Sequence, residues 1–208
     1  MRIETLLLET VDGLHLEADL AVPPAPRGAI VIAHPHPLHG GNRHHPVVDA
    51  MFRSFPPAGF AAIRFDFRGV GSSEGVHGGG LDERLDVAAA VDAVAPFALD
   101  GPFVACGYSF GAVLALQVAD PRLTAWIGVA PPLSHLDADP VAAADLRPKL
   151  LLVAAHDQYT DPDAVRARTA DWQNTAVDVV EMTDHFLTGR AGVVALEAVA
   201  FVSRLAGR

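Results

Sequence analysis

One cysteine, Cys106, stands in 208 residues, so neither an internal disulfide nor a thiolate zinc cluster can form. Positive charge is also scarce. Fifteen Lys and Arg face 25 Asp and Glu, a formal net charge of −10, and Lys149 is the only lysine. With no basic stripe to neutralise phosphates, nucleic acid and anionic membrane surfaces are argued against as partners. Uncharged runs of membrane-spanning length are missing. The stretch Met1-Arg2-Ile3-Glu4-Thr5 has no apolar core of signal-peptide length, and a cytoplasmic protein is the expectation. Repeats, low-complexity tracts and an interdomain linker are absent too. Half of the residues are apolar, so residues 1–208 are expected to form one domain around a proper core.

What is there is an alternation of apolar runs and helical patterns from about residue 29 onward. It predicts an α/β fold with a mostly parallel central sheet and helices on both faces. An antiparallel hairpin precedes it, with Glu4–Thr10 and Leu14–Ala21 flanking the Val11-Asp12-Gly13 turn. Further strands are predicted at Ala29–Ala33, Ala61–Phe65, Phe103–Cys106, Ala125–Val129, Lys149–Ala155 and Val177–Met182. Helices are predicted at Pro46–Phe55, Leu81–Phe97, Ala112–Ala119, Asp163–Trp172 and Val193–Leu205.

Gly107-Tyr108-Ser109-Phe110-Gly111 lies between a strand-like and a helix-like run. A serine at a sharp strand-to-helix turn is lifted clear of the sheet with a helix N-terminus beside it. Glycines two positions either side leave room for neighbouring chain to pack closely. Such a serine could merely cap the helix. Downstream, however, an acid and a histidine follow: Asp157 after the Lys149–Ala155 strand, and His185 after the Val177–Met182 strand. Parallel strands put all three loops on one edge of the sheet. Ser109 is the expected nucleophile, His185 the general base and Asp157 the acid that orients it. Cys106, within an apolar strand, reads as a small buried hydrophobe rather than a rival nucleophile. Asp161 and Asp163 compete with Asp157, but Asp161-Pro162-Asp163 reads as a helix cap. Asp184 is assigned to the loop.

These pieces resemble the α/β-hydrolase family, and within it the small bacterial lidless serine hydrolases and esterases with a His-Pro-His-Pro loop. The matching segments are His34-Pro35-His36-Pro37-Leu38-His39-Gly40-Gly41-Asn42 and Arg64-Phe65-Asp66-Phe67-Arg68-Gly69-Val70-Gly71-Ser72-Ser73-Glu74-Gly75. The serine turn, His156-Asp157-Gln158-Tyr159-Thr160 and Asp184-His185-Phe186 complete the set, so the likeness spans nearly the whole chain. The resemblance implies an esterase-like activity without supplying a substrate. Fewer than about twenty residues separate the strands ending at Val129 and starting at Lys149, where such hydrolases often insert a lid, so an open site is expected.

An oxyanion hole needs two backbone N–H groups. Phe110, after the serine, offers one. In the His-Pro loop Pro35 and Pro37 have none, which leaves His36 as the expected second donor, with Leu38 or His39 as alternates. His34, His36, His39, His44 and His45 are close in sequence, but no metal is expected, because the prolines should hold the backbone extended and fan the rings apart. Asp66 and Arg68 are expected to tie neighbouring loops together. The His77-Gly78-Gly79-Gly80 stretch reads as flexible loop with no role assigned.

The expectation is therefore a cofactor-independent serine hydrolase acting on small or short-chain carboxylic esters or thioesters through an acyl-enzyme. The alternative is a catalytically silent relative serving as a binding or assembly module. A small-molecule acyl substrate is the expected partner, and a homodimer is the base-rate expectation for such a chain.

Overall fold

A computed structural model describes residues 3–207. The strands are β1 (Ile3–Glu9), β2 (His15–Ala21), β3 (Ala29–Ala33), β4 (Ala61–Phe65), β5 (Phe103–Tyr108), β6 (Ala125–Val129), β7 (Lys149–His156) and β8 (Thr175–Asp184). The helices are α1 (Pro46–Ser54), α2 (Glu83–Val94), α3 (Phe110–Leu116), α4 (Pro162–Arg168) and α5 (Ala191–Ala206). The strands form one eight-stranded sheet in the order β1-β2-β4-β3-β5-β6-β7-β8. β1 and β2 are the predicted hairpin; β2 meets β4 antiparallel, and every later pairing is parallel.

Side chains alternate across β3 as a strand buried on both faces requires. Val31 packs with Phe65, Val91, Leu114 and Trp126 on the α2 and α3 side. Ile30 and Ile32 pack with Met51, Phe52, Ile127 and Phe201 on the α1 and α5 side. Each such large apolar side chain contributes about 1.5–3 kcal/mol by leaving water. The parallel order brings the carboxyl ends of β3, β5, β7 and β8 to one edge.

Element ends differ from the sequence expectation where a side chain intervenes. β5 continues through Gly107 and Tyr108, so the strand delivers Ser109 directly. α3 begins at Phe110 and stops at Leu116, short of Ala119; the Val118 carbonyl instead accepts the Trp126 indole N–H at 3.3 Å. α4 ends at Arg168, where the Thr169 hydroxyl bonds back to the Val165 carbonyl. Glu83–Val94 is α-helical, and Ala95–Phe97 tightens into a 3-10 turn around Pro96.

Between β6 and β7, residues 130–148 hold two short 3-10 turns, Leu133–His135 and Val141–Ala144, and no lid domain. Asp66 and Arg68 tie loops together as expected. Asp66 accepts the Arg43 N–H at 2.6 Å and pairs with its guanidinium, while Arg68 pairs with Asp86 at 2.7 Å and Asp12 at 3.0 Å.

Candidate active site

Ser109 leaves β5 with φ +53° and ψ −116°. A non-glycine residue held there costs on the order of 1–3 kcal/mol and persists only where its surroundings over-determine it. They do. The Ser109 N–H donates to the Val129 carbonyl at 2.8 Å. A Cβ on Gly107 would overlap the Gly111 carbonyl, and one on Gly111 would lie 2.5 Å from the carbonyl oxygens of Ala33 and His34. Both glycines are thus required by close backbone approach.

Ser109 Oγ lies 2.9 Å from His185 Nε2. His185 Nδ1 lies 2.9 Å from Asp157 Oδ2 and 3.1 Å from Oδ1. The carboxylate is buried, and its Oδ1 also accepts the N–H groups of Tyr159 (2.9 Å) and Thr160 (3.1 Å). With Nδ1 donating to the carboxylate, Nε2 is left to accept the serine proton, and the carboxylate would stabilise the imidazolium that results. Asp161 instead caps α4, accepting the Asp163 N–H at 2.8 Å, and Asp163 pairs with Arg166 on the surface. Asp184 accepts the Phe186 N–H at 3.1 Å. Cys106 is fully buried 3.6 Å from Met51 Sδ, and burial pushes its thiol pKa up, away from the reactive thiolate.

Two neighbours of His185 were not legible in the sequence. The Tyr108 hydroxyl donates to the His185 carbonyl at 2.9 Å, and the His185 N–H donates to Gln158 Oε1 at 3.2 Å. Burial, with the nearby Asp157 and Asp184 carboxylates, pushes the Tyr108 pKa up and keeps the hydroxyl a donor. Tyr159 packs against the imidazole in a T-shaped arrangement, with ring centroids 4.5 Å apart.

The loop after β3 turns back on itself. The Leu38 N–H donates to His36 Nδ1 at 3.2 Å and the His39 N–H to the His36 carbonyl at 3.0 Å, so both alternate donors are engaged within the turn. Among the described residues the His36 and Phe110 N–H groups have no hydrogen-bond partner. Phe110 is the first residue of α3, where no intrahelical partner exists.

The fanned-out histidine rings expected here are not what forms. Pro37 starts a 3-10 turn, Pro37–His39, which stacks His36 on His39 with centroids 4.6 Å apart and brings His77 to 4.9 Å. Burial, with the neighbouring His39 and His77, holds the His36 pKa below the usual imidazole value. Among the described residues no group of three or more His, Cys, Asp or Glu side chains is placed to hold a metal ion.

The 77–80 loop is tied down rather than flexible. The fully buried Glu83 carboxylate accepts the N–H groups of Gly78 and Gly80, both at 2.7 Å, and lies 2.6 Å from His77 Nδ1. Burial pushes the Glu83 pKa up, but these hydrogen bonds and His77 outweigh it and keep the group ionised.

Ser109, Phe110, His36 and His185 all open onto one cavity of about 790 Å³. Its walls include apolar Val113, Leu114, Pro132 and Leu136 and polar Gln117, Arg84 and Asp137. Gly79 and Gly80 border it. Among the described residues no helix is long and apolar enough to cross a membrane.

Comparison with known proteins agrees with this architecture. The family model described as "Serine aminopeptidase, S33" matches residues 24–147, more than half of the chain. An α/β serine hydrolase homologue from Coxiella burnetii superposes with TM-score 0.83 at 27% identity, covering 97% of this chain and 96% of that one. A lidless α/β serine hydrolase from Xanthomonas campestris gives TM-score 0.82 at 25% identity, covering 98% and 94%. An uncharacterised protein of Rickettsia prowazekii is 32% identical over 111 residues, 51% of this chain and 46% of its own length. The match thus spans less than half of that curated relative.

Proposed function

The chain belongs to the serine aminopeptidase S33 family of α/β-hydrolases, and from that premise we propose that it cleaves small or short-chain carboxylic esters and thioesters through an acyl-enzyme. The observation that carries this reading is the Ser109–His185–Asp157 array, with links of 2.9 and 2.9 Å, opening onto an unlidded cavity. Ser109 Oγ attacks the acyl carbon while His185 Nε2 takes its proton. The carbonyl π electrons move to oxygen, which accepts the Phe110 and His36 N–H groups. His185 then returns the proton to the leaving oxygen or sulfur as the acyl–leaving group bond breaks. Water repeats the sequence on the acyl-enzyme, releasing the acid and regenerating the serine.

The cavity supports small acyl groups. Each methylene buried against apolar lining such as Val113, Leu114 and Leu136 gains roughly 0.8 kcal/mol, and that gain stops once the chain runs past the short loops that wall a site with no lid domain between β6 and β7. Asp137, which is exposed, is the cavity's one carboxylate among the described lining residues. Little is therefore offered there to a peptide's ammonium terminus, which supports esters ahead of peptides. The test is a set of p-nitrophenyl esters run beside thioesters, anilides and aminopeptidase substrates of matched acyl group. Faster turnover of anilides than of esters would overturn the ester reading. No turnover of any, with no reaction toward a fluorophosphonate, would favour a silent binding module.

A further inference from the structure

His34 is fully buried, lies outside the cavity wall, and cannot touch a substrate. Its ring nevertheless makes two bonds with opposite demands. Nε2 lies 3.1 Å from the Phe67 backbone nitrogen, and Nδ1 lies 2.6 Å from the Pro35 carbonyl oxygen. The Phe67 N–H can only donate, so Nε2 must be bare and the proton must sit on Nδ1, donating to Pro35. Burial keeps the ring neutral, with its pKa pushed down to about 4.

The Pro35 carbonyl is one half of a peptide unit whose other half is the His36 N–H. That peptide is planar and trans, so fixing the carbonyl on one side fixes the N–H on the other. Pro35 already has its φ set by its ring. The remaining proline torsion that turns this peptide, ψ of Pro35, is the one the His34 bond holds. From the same side Gly41 packs so closely that a Cβ on it would overlap the Pro35 carbonyl, and its N–H donates to the His36 carbonyl at 3.1 Å. The His34 carbonyl, meanwhile, rests against Gly111 in the first turn of α3. One residue thus joins the two halves of the anion site, the Phe110 side through its backbone and the His36 side through its ring.

We infer that His34 is a positioning residue that aims the His36 N–H at the developing oxyanion. The inference rests on the serine-hydrolase reading above. Of the two ring bonds, the one to Pro35 sets the donor's direction. The one to Phe67 sets the tautomer and anchors the ring to the loop after β4.

Two substitutions separate these bonds. His34→Asn places an amide N–H near the Nδ1 position and keeps a donor for Pro35. His34→Gln reaches the Nε2 position, keeps an acceptor for Phe67, and loses the Pro35 bond. Removing an oxyanion donor outright costs about 10²–10³-fold in kcat. His34→Gln, which leaves the donor present but unaimed, should lower kcat by about 10- to 100-fold with KM within about threefold of wild type. Its affinity for a trifluoromethyl ketone, which forms an oxyanion on the serine, should fall in proportion. His34→Asn should recover kcat to within about fivefold, although both variants lose thermal stability. Equal kcat losses in the two variants, or undiminished kcat in His34→Gln, would overturn the inference.

Should neither variant fold, ¹⁵N NMR of histidine-labelled wild-type protein decides the same point. A neutral His34 protonated on Nδ1 is expected, and protonation on Nε2 would refute it. The serine reading is checked separately: covalent labelling that survives Ser109→Ala overturns that reading, whereas Ser109-dependent labelling with a fully active His34→Gln overturns the His34 inference alone.

Discussion

Replacing Asp157 with asparagine forces the site to choose between two incompatible hydrogen-bond patterns. Oδ1 of Asp157 accepts the Tyr159 and Thr160 N–H groups, while Oδ2 faces His185 Nδ1 at 2.9 Å. An asparagine that keeps its oxygen on the two amides turns its NH₂ toward Nδ1. The imidazole must then carry its proton on Nε2, against Ser109 Oγ, where it cannot take the serine's proton. Turning the amide round restores the useful tautomer but leaves the buried Thr160 N–H and the part-buried Tyr159 N–H without an acceptor. That costs about 1–3 kcal/mol each, about 2–6 kcal/mol together. At about 1.4 kcal/mol per tenfold, the productive arrangement falls to between about 1 in 30 and about 1 in 2 × 10⁴. The imidazolium also loses its counter-charge. We therefore expect Asp157→Asn to lower kcat by about 10³–10⁴-fold, in line with the roughly 10⁴-fold effect of the same change in a serine protease. The assay is steady-state hydrolysis of p-nitrophenyl acetate, with urea unfolding to show that the fold survives. Asp161→Asn is the control: asparagine caps a helix as well as aspartate, so kcat should stay within about twofold. A kcat for Asp157→Asn within tenfold of wild type would refute the reasoning.

Gly111→Ala puts a Cβ 2.5 Å from the Ala33 and His34 carbonyls, so α3 and the end of β3 must part. The cost should be about 1–3 kcal/mol in urea unfolding, with a parallel drop in kcat, and no change in either would show that the close approach is unnecessary. Straight-chain p-nitrophenyl esters should show kcat/KM peaking at about two to six acyl carbons and then falling, because residues 130–148 hold only short turns and no lid domain to bury a longer chain. A maximum at about ten carbons or beyond would mean that the short loops enclose a long acyl tunnel. Acid should destabilise the fold through His34, whose pKa falls from 6.5 in the unfolded chain to about 4 in the folded one. The neutral form is the one folding favours, so as pH drops from about 6.5 to about 4 the unfolded chain gains a proton that His34 refuses. Stability should fall by about 3 kcal/mol over that window and stay flat in this respect above it. In His34→Gln the slope of unfolding free energy against pH should be shallower there, and an unchanged slope would contradict the assignment.

The local features of the fold could be read in the chain because local chemistry dictates them. Ser109 is flanked by glycines because its turn tolerates nothing larger at Gly107 and Gly111, and that constraint spans five residues. Pro162 after Asp161 marks a helix start, which separates Asp161 from Asp157 in the sequence itself. Contacts between distant segments left no such mark. Tyr108 reaches the His185 carbonyl across 77 residues of sequence, and nothing at position 108 distinguishes a tyrosine that does so from one that simply packs. In the His-Pro loop Pro37 bends the backbone where its ring alone suggests extension, because proline at the first position of a helical turn suits bending equally well. Nothing in the chain sets Glu83 apart from the other acids of the 81–97 stretch, yet its carboxylate faces inward and fastens Gly78 and Gly80 beside the cavity.

The central claim is that Ser109 is a nucleophile activated by His185. The most direct measurement is intact-protein mass spectrometry after brief exposure to a fluorophosphonate, on wild type, Ser109→Ala and Cys106→Ala. Wild type and Cys106→Ala should each gain one covalent adduct, mapped by peptide digestion to Ser109, and Ser109→Ala should gain none. An adduct on Ser109→Ala, or a wild-type protein that stays unmodified, would contradict the account.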